Sequence, residues 1–541
     1  MSVRRVVIDP GRWGVVVGDR GTTTVEDIPR TVPHPARVAT AAVLLALLVL
    51  AAACSSPTDP AASSESSGSA DSDETTTSTT NSATGPEGGT DADRAEDDAT
   101  GGGDSDADGG EADGALAVDA VRELLAGLDG QLAIGNGPVV AVARADGQRY
   151  IELDGGRTNL ASQPTWSADG TKLIWSSVSA LAQEARVQLF DSEGVADGDP
   201  LTTNVPGPPV FYFQWRSDGD EALYLRNSIR RPTVEAGVLT PGGPARWMAD
   251  GDPFFVAWAP NEPIIAAHVA EERLALFDPA GAAAFGAADE GEPDGASEPG
   301  SDDPVVGDDL VDGGGFSSPA WLDDETLVAV VSGALSAVDI RTGSVEPLVA
   351  VDGPVQFVLS PDRSRVALQV ATDPNDEDDV LEVAVTPIQE GLADGSLIVV
   401  DVADRSVDVV TERSVVAWEW SPDSTKLAWL ELDGPISRRR GRWRFWSADG
   451  PVVGDARSPL LQLSVKELVN YFPFFAQYSF SLHRWSPDSS AFALVGSVNG
   501  RNGIWIHLVD VPAAPALVAP GDLVSWGFGP TPSPDAGRSP A

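Results

Sequence analysis

Arginine is the residue type with the clearest chemical potential in this chain, because it is concentrated in two short clusters. The sequence has 35 Lys and Arg against 82 Asp and Glu, a net charge of −47. A guanidinium fork binds carboxylates and phosphates through paired hydrogen bonds, so the clusters predict a site for an anion or an acidic partner. The alternative is that the arginines neutralise neighbouring acidic loops. The candidate binding arginines are Arg230 and Arg231, near Arg226, and Arg438, Arg439, Arg440 and Arg442, near Arg444.

Aromatic side chains form a second concentration, with six of them between Tyr471 and Phe480. The preceding residues Ser464–Glu467 have the form of a capping box and predict a short helix. Such a cluster either fills a core or forms a contact patch for a partner, and the sequence leaves both interpretations open. The candidate binding residues here are Tyr471, Phe474, Phe475 and Gln477, together with His483 on the strand that follows.

Recognisable catalytic and metal motifs are absent from the sequence. It contains no H-E-x-x-H, no P-loop and no nucleophile elbow. His268 and His507 alternate within predicted strands and are expected to be packing or solvent residues. Asp373, Asp376 and Asp378 lie in an acidic loop that either collects calcium through oxygen ligands or is a solvated charge run. We therefore predict no catalytic residue and, as the one possible cofactor, a structural calcium ion.

Composition excludes several classes of partner. A surface this acidic repels phosphate backbones, whose binding depends on Lys and Arg, so nucleic acid is excluded as a partner. Adsorption to anionic lipid is disfavoured for the same reason. The single cysteine, Cys54, excludes an intramolecular disulfide and a thiolate zinc site, since both need at least two sulfur atoms.

Cys54 directly follows an apolar run, Val38–Ala53, that has the length of a signal-peptide core. The context Leu50-Ala51-Ala52-Ala53-Cys54 resembles a bacterial lipoprotein signal, in which the leader is cleaved before the cysteine. The resemblance implies that Cys54 carries a lipid and that the protein is extracytoplasmic and anchored to the cell membrane. The alternative is a buried structural cysteine beside a short membrane anchor.

The chain divides by composition into four predicted segments. Residues 1–53 are the leader, and residues 54–114 combine Cys54 with an acidic stretch of Ser, Thr and Gly. That stretch has too few large apolar residues to bury and is predicted to be a disordered stalk. Residues 115–530 carry the folded domain, and residues 531–541 are predicted to be a disordered tail.

The folded domain is dominated by one repeated phrase, in which a strand ends in Trp, a Pro-Asp-Gly type turn follows, and a second apolar strand begins. Proline presets φ, aspartate bonds to the turn backbone and glycine accepts positive φ, so each phrase predicts two antiparallel strands. Weaker third and fourth strands follow most copies, and four antiparallel strands form one propeller blade. The copies begin at Trp166, Trp215, Trp258, Trp321, Leu359, Trp420, Trp485 and Trp526.

These phrases resemble the WD40-like PD40 repeat of TolB-type β-propellers, whose signature is W-S-P-D-G before an apolar strand. The resemblance covers about Gln131 to Phe528 and implies an all-β propeller. TolB has an additional α/β domain before its propeller, whereas only Leu116–Ala126 looks helical here. Peptidase relatives append an α/β-hydrolase domain, but this sequence has no G-x-S-x-G.

Eight blades are favoured over seven, because about 41 residues per blade fits the usual repeat length of about 40 to 45 better than about 47 does. The eighth blade is expected to combine Leu523–Phe528 with N-terminal strands near Gln131, which pairs the chain ends and removes open sheet edges. We interpret the protein as a non-catalytic binding or scaffolding module for a protein or cell-envelope component. Two alternatives are a hydrolase or lyase acting on glycan or peptide, and an accessory receptor for an anionic solute or a membrane sensor kinase.

Overall fold

The structure is a computed structural model, and it describes most of the chain between Leu116 and Phe528. No helix within the described part is long and apolar enough to cross a membrane. Cys54 and the predicted leader, stalk and tail lie outside the described residues. The described residues are 116, 118–153, 159–179, 185–191, 203–205, 208–228, 233–241, 243–251, 254–269, 274–281, 283–284, 318–331, 333–351, 355–369, 396–413, 415–434 and 438–528.

The predicted all-β fold class is confirmed, since the repeats form consecutive antiparallel sheets. In each repeat an inner strand ends at the Trp or Leu of the phrase and pairs with the strand after the turn, as Trp258 does with Ile265. The first four sheets, called blades 1 to 4, contain these strands. Blade 1 has β32 (Leu523–Gly527), β1 (Gln131–Asn136), β2 (Val139–Ala143) and β3 (Ile151–Leu153); blade 2 has β4 (Asn159–Ala161), β5 (Thr165–Trp166), β6 (Lys172–Ser179), β7 (Ala185–Asp191) and β8 (Thr203–Val205); blade 3 has β9 (Val210–Trp215), β10 (Ala222–Asn227), β11 (Val234–Leu239), β12 (Ala245–Gly251) and the edge strand β16 (Ala283–Ala284); blade 4 has β13 (Phe254–Trp258), β14 (Ile265–Val269) and β15 (Leu274–Phe277).

The remaining sheets continue the pattern, and blades 7 and 8 are joined into one sheet of seven strands through a short linking strand. The inner edge of blade 8 is a single bridge between Trp485 and Phe492. The described strands therefore form eight blades. Blade 5 has β17 (Ala320–Trp321), β18 (Thr326–Val331), β19 (Ala334–Asp339) and β20 (Val345–Ala350); blade 6 has β21 (Phe357–Leu359), β22 (Arg365–Gln369), β23 (Leu397–Asp401) and β24 (Val407–Thr411); blade 7 has β25 (Val415–Trp420), β26 (Lys426–Leu432) and β27 (Arg440–Ser447); the linking strand is β28 (Leu461–Gln462); blade 8 has β29 (Ala491–Val498), β30 (Arg501–Leu508) and β31 (Ala516–Ala519).

Helical structure is confined to short segments. Helix α1 (Val118–Ala126) packs Leu125 into the core that blades 1 and 8 share. A π-helical turn (Glu467–Tyr471), a 3-10 turn (Phe472–Phe474) and helix α2 (Phe475–Tyr478) follow one another in the connection to blade 8. Two further 3-10 turns are Pro279–Gly281 and Val453–Arg457.

The ring closes through the two ends of the folded domain, as the sequence predicts. Strand β32 pairs antiparallel with β1, with Trp526 opposite Leu132. Next to this closure, the Trp166 indole of blade 2 donates to the carbonyl oxygen of Ser525 at 3.2 Å. The closing strand thus bonds to blade 1 along its length and to blade 2 through an indole, and the sheet edge is covered.

Indole hydrogen bonds of this kind link successive blades around the ring. In each, the Nε1–H donates to the carbonyl oxygen of the residue just before the corresponding Trp or Leu of the preceding blade. Because such a carbonyl is buried, its bond supports the position of one blade on the next. Leu359 has no such donor, and Trp526 donates instead to Asp129. The other donors, besides Trp166, are Trp215 to Thr165, Trp258 to Gln214, Trp321 to Ala257, Trp420 to Val358 and Trp485 to Glu419, at 3.1–3.2 Å.

The Pro-Asp turns are held by side chains within the phrase. Ser421 donates to Asp423 at 2.6 Å and accepts the Lys426 N–H at 2.8 Å. Ser424 takes the position that glycine occupies in the consensus phrase and has a φ of 62°. Its hydroxyl accepts the N–H of Asp362 in the preceding blade at 3.0 Å, which links neighbouring turns.

The two ends of the propeller differ as a consequence of this topology. The turns between first and second strands lie at one end, which we call the motif face. The turns between second and third strands and the connections between blades lie at the other end, which we call the loop face. The channel enclosed by the eight inner strands runs between the two faces.

Candidate functional site

The aromatic segment predicted to be either a core plug or a contact patch fills the channel, and we call residues Glu467–Tyr478 the plug. Gln477 on the plug makes a pair of bonds with β13, accepting the Val256 N–H at 2.7 Å and donating to the Val256 carbonyl at 2.8 Å. It also accepts from Ser318 beside blade 5 at 3.2 Å. One amide side chain therefore joins the plug to two blades.

Aromatic residues attach the plug to other blades. The Tyr212 hydroxyl donates to the Gln477 carbonyl at 3.1 Å, and the Tyr478 hydroxyl donates to the carbonyl of Phe211 at 3.2 Å. The Phe475 ring lies 4.2 Å from that of Trp418 in blade 7. Contacts with blades 3, 4 and 7 at once require a position inside the ring.

The candidate binding residues of this segment are thus part of the interior. Tyr471, Phe475 and Gln477 are buried, and Phe474 is half-buried. The predicted capping box is half formed, since Ser464 accepts the Glu467 N–H at 3.0 Å. The Glu467 carboxylate turns away from Ser464 and into the channel.

A buried charged cluster lies where the plug meets blades 7 and 8. Arg484 and Glu467 are both fully buried, and the Arg484 guanidinium donates to the Glu467 carboxylate at 2.5 Å. The same guanidinium lies 4.6 Å from the Tyr471 ring and 5.3 Å from the Trp443 ring, a double cation–π contact. The backbone N–H of Arg484 donates to Glu419 at 2.7 Å. Arg484 thus binds one carboxylate through its side chain and the other through its backbone.

Burial dominates the titration of both carboxylates. It raises the pKa of Glu419 to about 7, against the opposing effect of the Arg484 backbone hydrogen bond and charge. It also raises the pKa of Glu467, although the Arg484 charge and hydrogen bond act in the other direction. Since desolvation disfavours a charged carboxylate, Glu419 exchanges its proton near neutral pH.

A dead-end cavity of about 400 Å³ remains between the plug and the motif face. Its wall is formed by the indoles at the ends of the inner strands, by turn prolines and by Phe480 and Phe528. Glu419, Gln214 and His483 are polar groups in this wall. Concave, mostly apolar sites with a few converging polar groups are typical of ligand sites.

His483 lies in this wall, as its place on the inner edge of blade 8 requires. Its ring is half-buried and lies 4.7 Å from that of Phe528. Burial lowers the pKa of His483 to about 4, so the ring is neutral at physiological pH. A neutral imidazole adds no positive charge beside Glu419.

The second arginine cluster lies in and after the loop-face turn between β26 and β27, and three of its side chains have defined partners. Arg440 and Arg444 pair with carboxylates, and Arg442 bonds to a backbone carbonyl. The partners are Asp433 for Arg440 at 3.2 Å, the Ser458 carbonyl for Arg442 at 2.9 Å and Asp455 for Arg444 at 2.7 Å.

Arg438 and Arg439 differ from the rest of this cluster. Neither guanidinium has a hydrogen-bond or ion-pair partner among the residues that the structure describes. Arg438 is exposed, and Arg439 has a φ of 50°, in the left-handed region. With the exposed Arg440 they form a short cationic turn, Arg438–Arg440, on an otherwise acidic protein.

The other candidate residues have different outcomes. In the first cluster Arg226 is buried and paired with Glu235 at 2.6 Å, a structural role. Among the described residues, no three His, Cys, Asp or Glu side chains converge as metal ligands. The predicted candidates Arg230, Arg231, Cys54, Asp373, Asp376 and Asp378 lie outside the described residues.

Sequence reasoning missed Glu419, Arg484 and Glu467 as a group. Glu419 and Arg484 each directly precede the Trp of a repeat, and the same position holds Gln214 in blade 3, which also lines the cavity. Comparing the position before Trp across the repeats is therefore a signal that finds the polar channel residues, such as Gln214. The third member, Glu467, comes from an insertion that has no counterpart in the other repeats.

Comparison with known proteins adds three solved structures. No protein-family model matches the chain, and no curated protein sequence matches it. The crystal structure of TolB from Acinetobacter baumannii has 15% sequence identity to this chain and a TM-score of 0.32. The match covers 61% of this chain and 65% of the TolB chain, so this chain spans about two thirds of the TolB length. The β-propeller domain of the Trilobed protease from Pyrococcus furiosus is 10% identical, with a TM-score of 0.36 and coverage of 65% of this chain and 95% of that one. An oligogalacturonate lyase in complex with manganese is 12% identical, with a TM-score of 0.36 and coverage of 54% and 79%. The propeller assignment rests on the eight blades of this chain itself.

Proposed function

We propose that this protein is a lipid-anchored, extracytoplasmic propeller that serves as a non-catalytic binding module for a protein or cell-envelope component. The observation that carries the proposal is the plug. Because Tyr471–Tyr478 occupy the channel from the loop face, a glycan or peptide chain has no open path through the ring. Recognition is left to the outer surfaces and to the dead-end cavity.

The alternative function as a hydrolase or lyase depends on a carboxylate pair free to act beside His483. Glu467 instead bonds to the Arg484 side chain, and Glu419 accepts the Arg484 backbone N–H. The first bond joins the plug to blade 8 and the second joins blade 7 to blade 8, so neither carboxylate forms a pair with the other beside His483.

We place the partner contact at the cationic turn Arg438–Arg440 on the loop face. Two guanidinium groups without partners keep their full capacity for bidentate bonds to carboxylate or phosphate. On a protein of net charge −47 such a turn also orients an approaching anionic partner, because local potential guides encounter. The lipid at Cys54 and the acidic residues 55–114 would hold the propeller near the membrane surface with room to reorient.

The experiment is crosslinking in native membranes followed by affinity capture of the anchored chain. The test variant is Arg438→Ala, Arg439→Ala and Arg440→Ala combined. The matched control is Arg122→Ala, Arg341→Ala and Arg405→Ala combined, which removes three arginines whose side chains are 75%, 69% and 41% exposed away from the cationic turn. We expect the test variant to lose the crosslinked partner and the control to keep it. Retention of every partner by the test variant overturns the assignment of this surface.

A further inference from the structure

The cavity at the motif face contains two hydrogen-bond acceptors that have no protein partner. Glu419 is 3% exposed and uses one carboxylate oxygen for the Arg484 N–H, while its other oxygen, Oε2, is buried and unpartnered. Gln214 is 6% exposed, and its Oε1 is likewise buried and unpartnered. Both residues line the cavity, Gln214 from blade 3 and Glu419 from blade 7, and both directly precede the Trp of their repeats. An unsatisfied buried acceptor is costly, and a bound donor relieves that cost.

The charges around the cavity also favour a bound group that is positively charged. Glu419 and Glu467 together carry two negative charges when ionised, and Arg484 supplies one positive charge. His483, the other titratable group in the wall near Glu419, is neutral near pH 7 because burial lowers its pKa to about 4. An ionised Glu419 is therefore left with an uncompensated negative charge, which a buried site tolerates only with a counter-charge.

One more cation lies at the rim of the cavity. Arg363 is on the Pro-Asp turn of blade 6, on the motif face. Its charge acts on Asp324 of the neighbouring turn, whose pKa is lowered by a hydrogen bond from Asn261 and also by Arg363. Arg363 thus belongs to the acidic rim and does not neutralise Glu419 below it.

The apolar part of the wall suits a flat hydrophobic group. Five indoles, those of Trp215, Trp258, Trp321, Trp420 and Trp485, line the cavity. Indole faces attract cations more strongly than other aromatic rings do, and the attraction grows as the site is desolvated. A volume of about 400 Å³ accommodates a small molecule and excludes a folded partner.

We propose that this cavity is a binding site for a small organic cation, a primary ammonium joined to an apolar or aromatic body. The ammonium N–H groups donate to Glu419 Oε2 in blade 7, and the apolar body lies among the indoles and Phe480, on the side of the cavity where blade 3 contributes Gln214. This site is separate from the cationic turn on the loop face, and its ligand has the opposite charge to the partner proposed there. The two proposals therefore stand or fall independently.

The test is a titration of the full chain at pH 8 with three probes of nearly equal shape. Binding is detected by the change in tryptophan fluorescence, because indoles line the cavity. The probes are phenethylamine, the neutral 2-phenylethanol and the anionic phenylacetate. We expect saturable binding of phenethylamine at least tenfold tighter than binding of either other probe. Equal binding of amine and alcohol, tighter binding of phenylacetate, or no binding of the amine overturns the proposal.

Variants assign the effect to the cavity. Glu419→Gln keeps an acceptor for the Arg484 N–H and removes the charge, so we expect at least a tenfold loss of phenethylamine affinity. Gln214→Leu removes a neutral polar group from the opposite wall, so we expect it to change phenethylamine affinity less than Glu419→Gln does. Glu325→Gln, which removes a carboxylate 47% exposed on blade 5, is the matched control and should bind like the unmodified chain. Unchanged affinity in Glu419→Gln, with the circular dichroism spectrum of the unmodified chain, contradicts the proposal.

Discussion

Replacement of Arg484 by methionine is the perturbation with the largest and most specific expected effect on this fold. The Arg484 guanidinium bonds to Glu467 and contacts the rings of Tyr471 and Trp443, and the backbone N–H of Arg484 bonds to Glu419. Methionine fills a similar volume without charge or hydrogen bonds. The variant therefore leaves two buried carboxylates with no cation.

The magnitude follows from the burial of the pair. Removing one partner of a buried ion pair costs about 3 to 5 kcal/mol, because the remaining charge is uncompensated. For the roughly 400 residues of the propeller, the entropy of unfolding is about 0.8 kcal/mol per kelvin, so the expected loss in thermal midpoint is about 4 to 6 °C. We expect this loss at pH 8, where Glu419 is ionised in the parent protein.

Acid should reduce the loss. Burial raises the pKa of both carboxylates, and loss of the Arg484 charge raises both further, so at pH 5 Glu419 is protonated and Glu467 is less ionised than at pH 8. The assay is thermal unfolding at pH 5 and pH 8, with Glu467→Gln combined with Arg484→Met as the control. That double variant should recover most of the midpoint at pH 8. An equal loss at both pH values, or no loss at pH 8, refutes the reasoning.

Three further changes test other parts of the structure by thermal unfolding. The pKa of Glu419 rises from 4.5 to about 7 on folding, so the free energy of unfolding falls by about 3 kcal/mol as pH rises through that interval. Glu419→Gln should abolish this fall and therefore raise the thermal midpoint at pH 8 but not at pH 4. Burial lowers the pKa of His507 to about 4, so the stability that the neutral ring contributes to the folded state is lost as pH falls from 6.5 to 4. The thermal midpoint of His507→Gln should therefore fall less on acidification than that of the parent protein. Trp321→Phe leaves the Ala257 carbonyl without its indole donor and should cost about 1 to 3 kcal/mol, whereas a midpoint equal to that of the parent would contradict a role for the indole bonds.

The repeated phrase made the blades predictable because its determinants are local. The Ser, Pro and Asp of each turn bond to their own backbone within five residues, as Ser421 does with Asp423 and Lys426. Alternating apolar residues then commit the flanking strands to one face each. The pairing of Gln131–Asn136 with Leu523–Gly527 also followed from the need to cover both sheet edges.

The channel contents were not predictable in the same way, because they depend on residues that meet only after the ring closes. Glu419 precedes the long insertion between blades 7 and 8, Glu467 lies within it, and Arg484 follows it. The sequence did not distinguish a core plug from a contact patch for the aromatic segment, because the composition of that segment suits both. Only the bonds from Gln477 to blade 4 and to Ser318 distinguish the two.

The arginine cluster shows a similar division. The spacing of the arginines identified the cluster. Whether a given guanidinium is neutralised depends on which carboxylates the fold brings near β27 and the connection that follows it. Asp433 and Asp455 reach Arg440 and Arg444 and leave Arg438 and Arg439 for a partner.

The most direct test of the account is a photocrosslinking residue placed at single positions of the full-length chain in its native cell. Asp433, an exposed residue beside the cationic turn, and Arg363 on the motif face are replaced in turn by a benzophenone amino acid, which leaves Arg438, Arg439 and Arg440 in place. The account predicts a discrete partner adduct from position 433 and none of comparable yield from position 363. An adduct from position 363 alone, or none from position 433, would contradict the claim that the propeller binds its partner through the cationic turn.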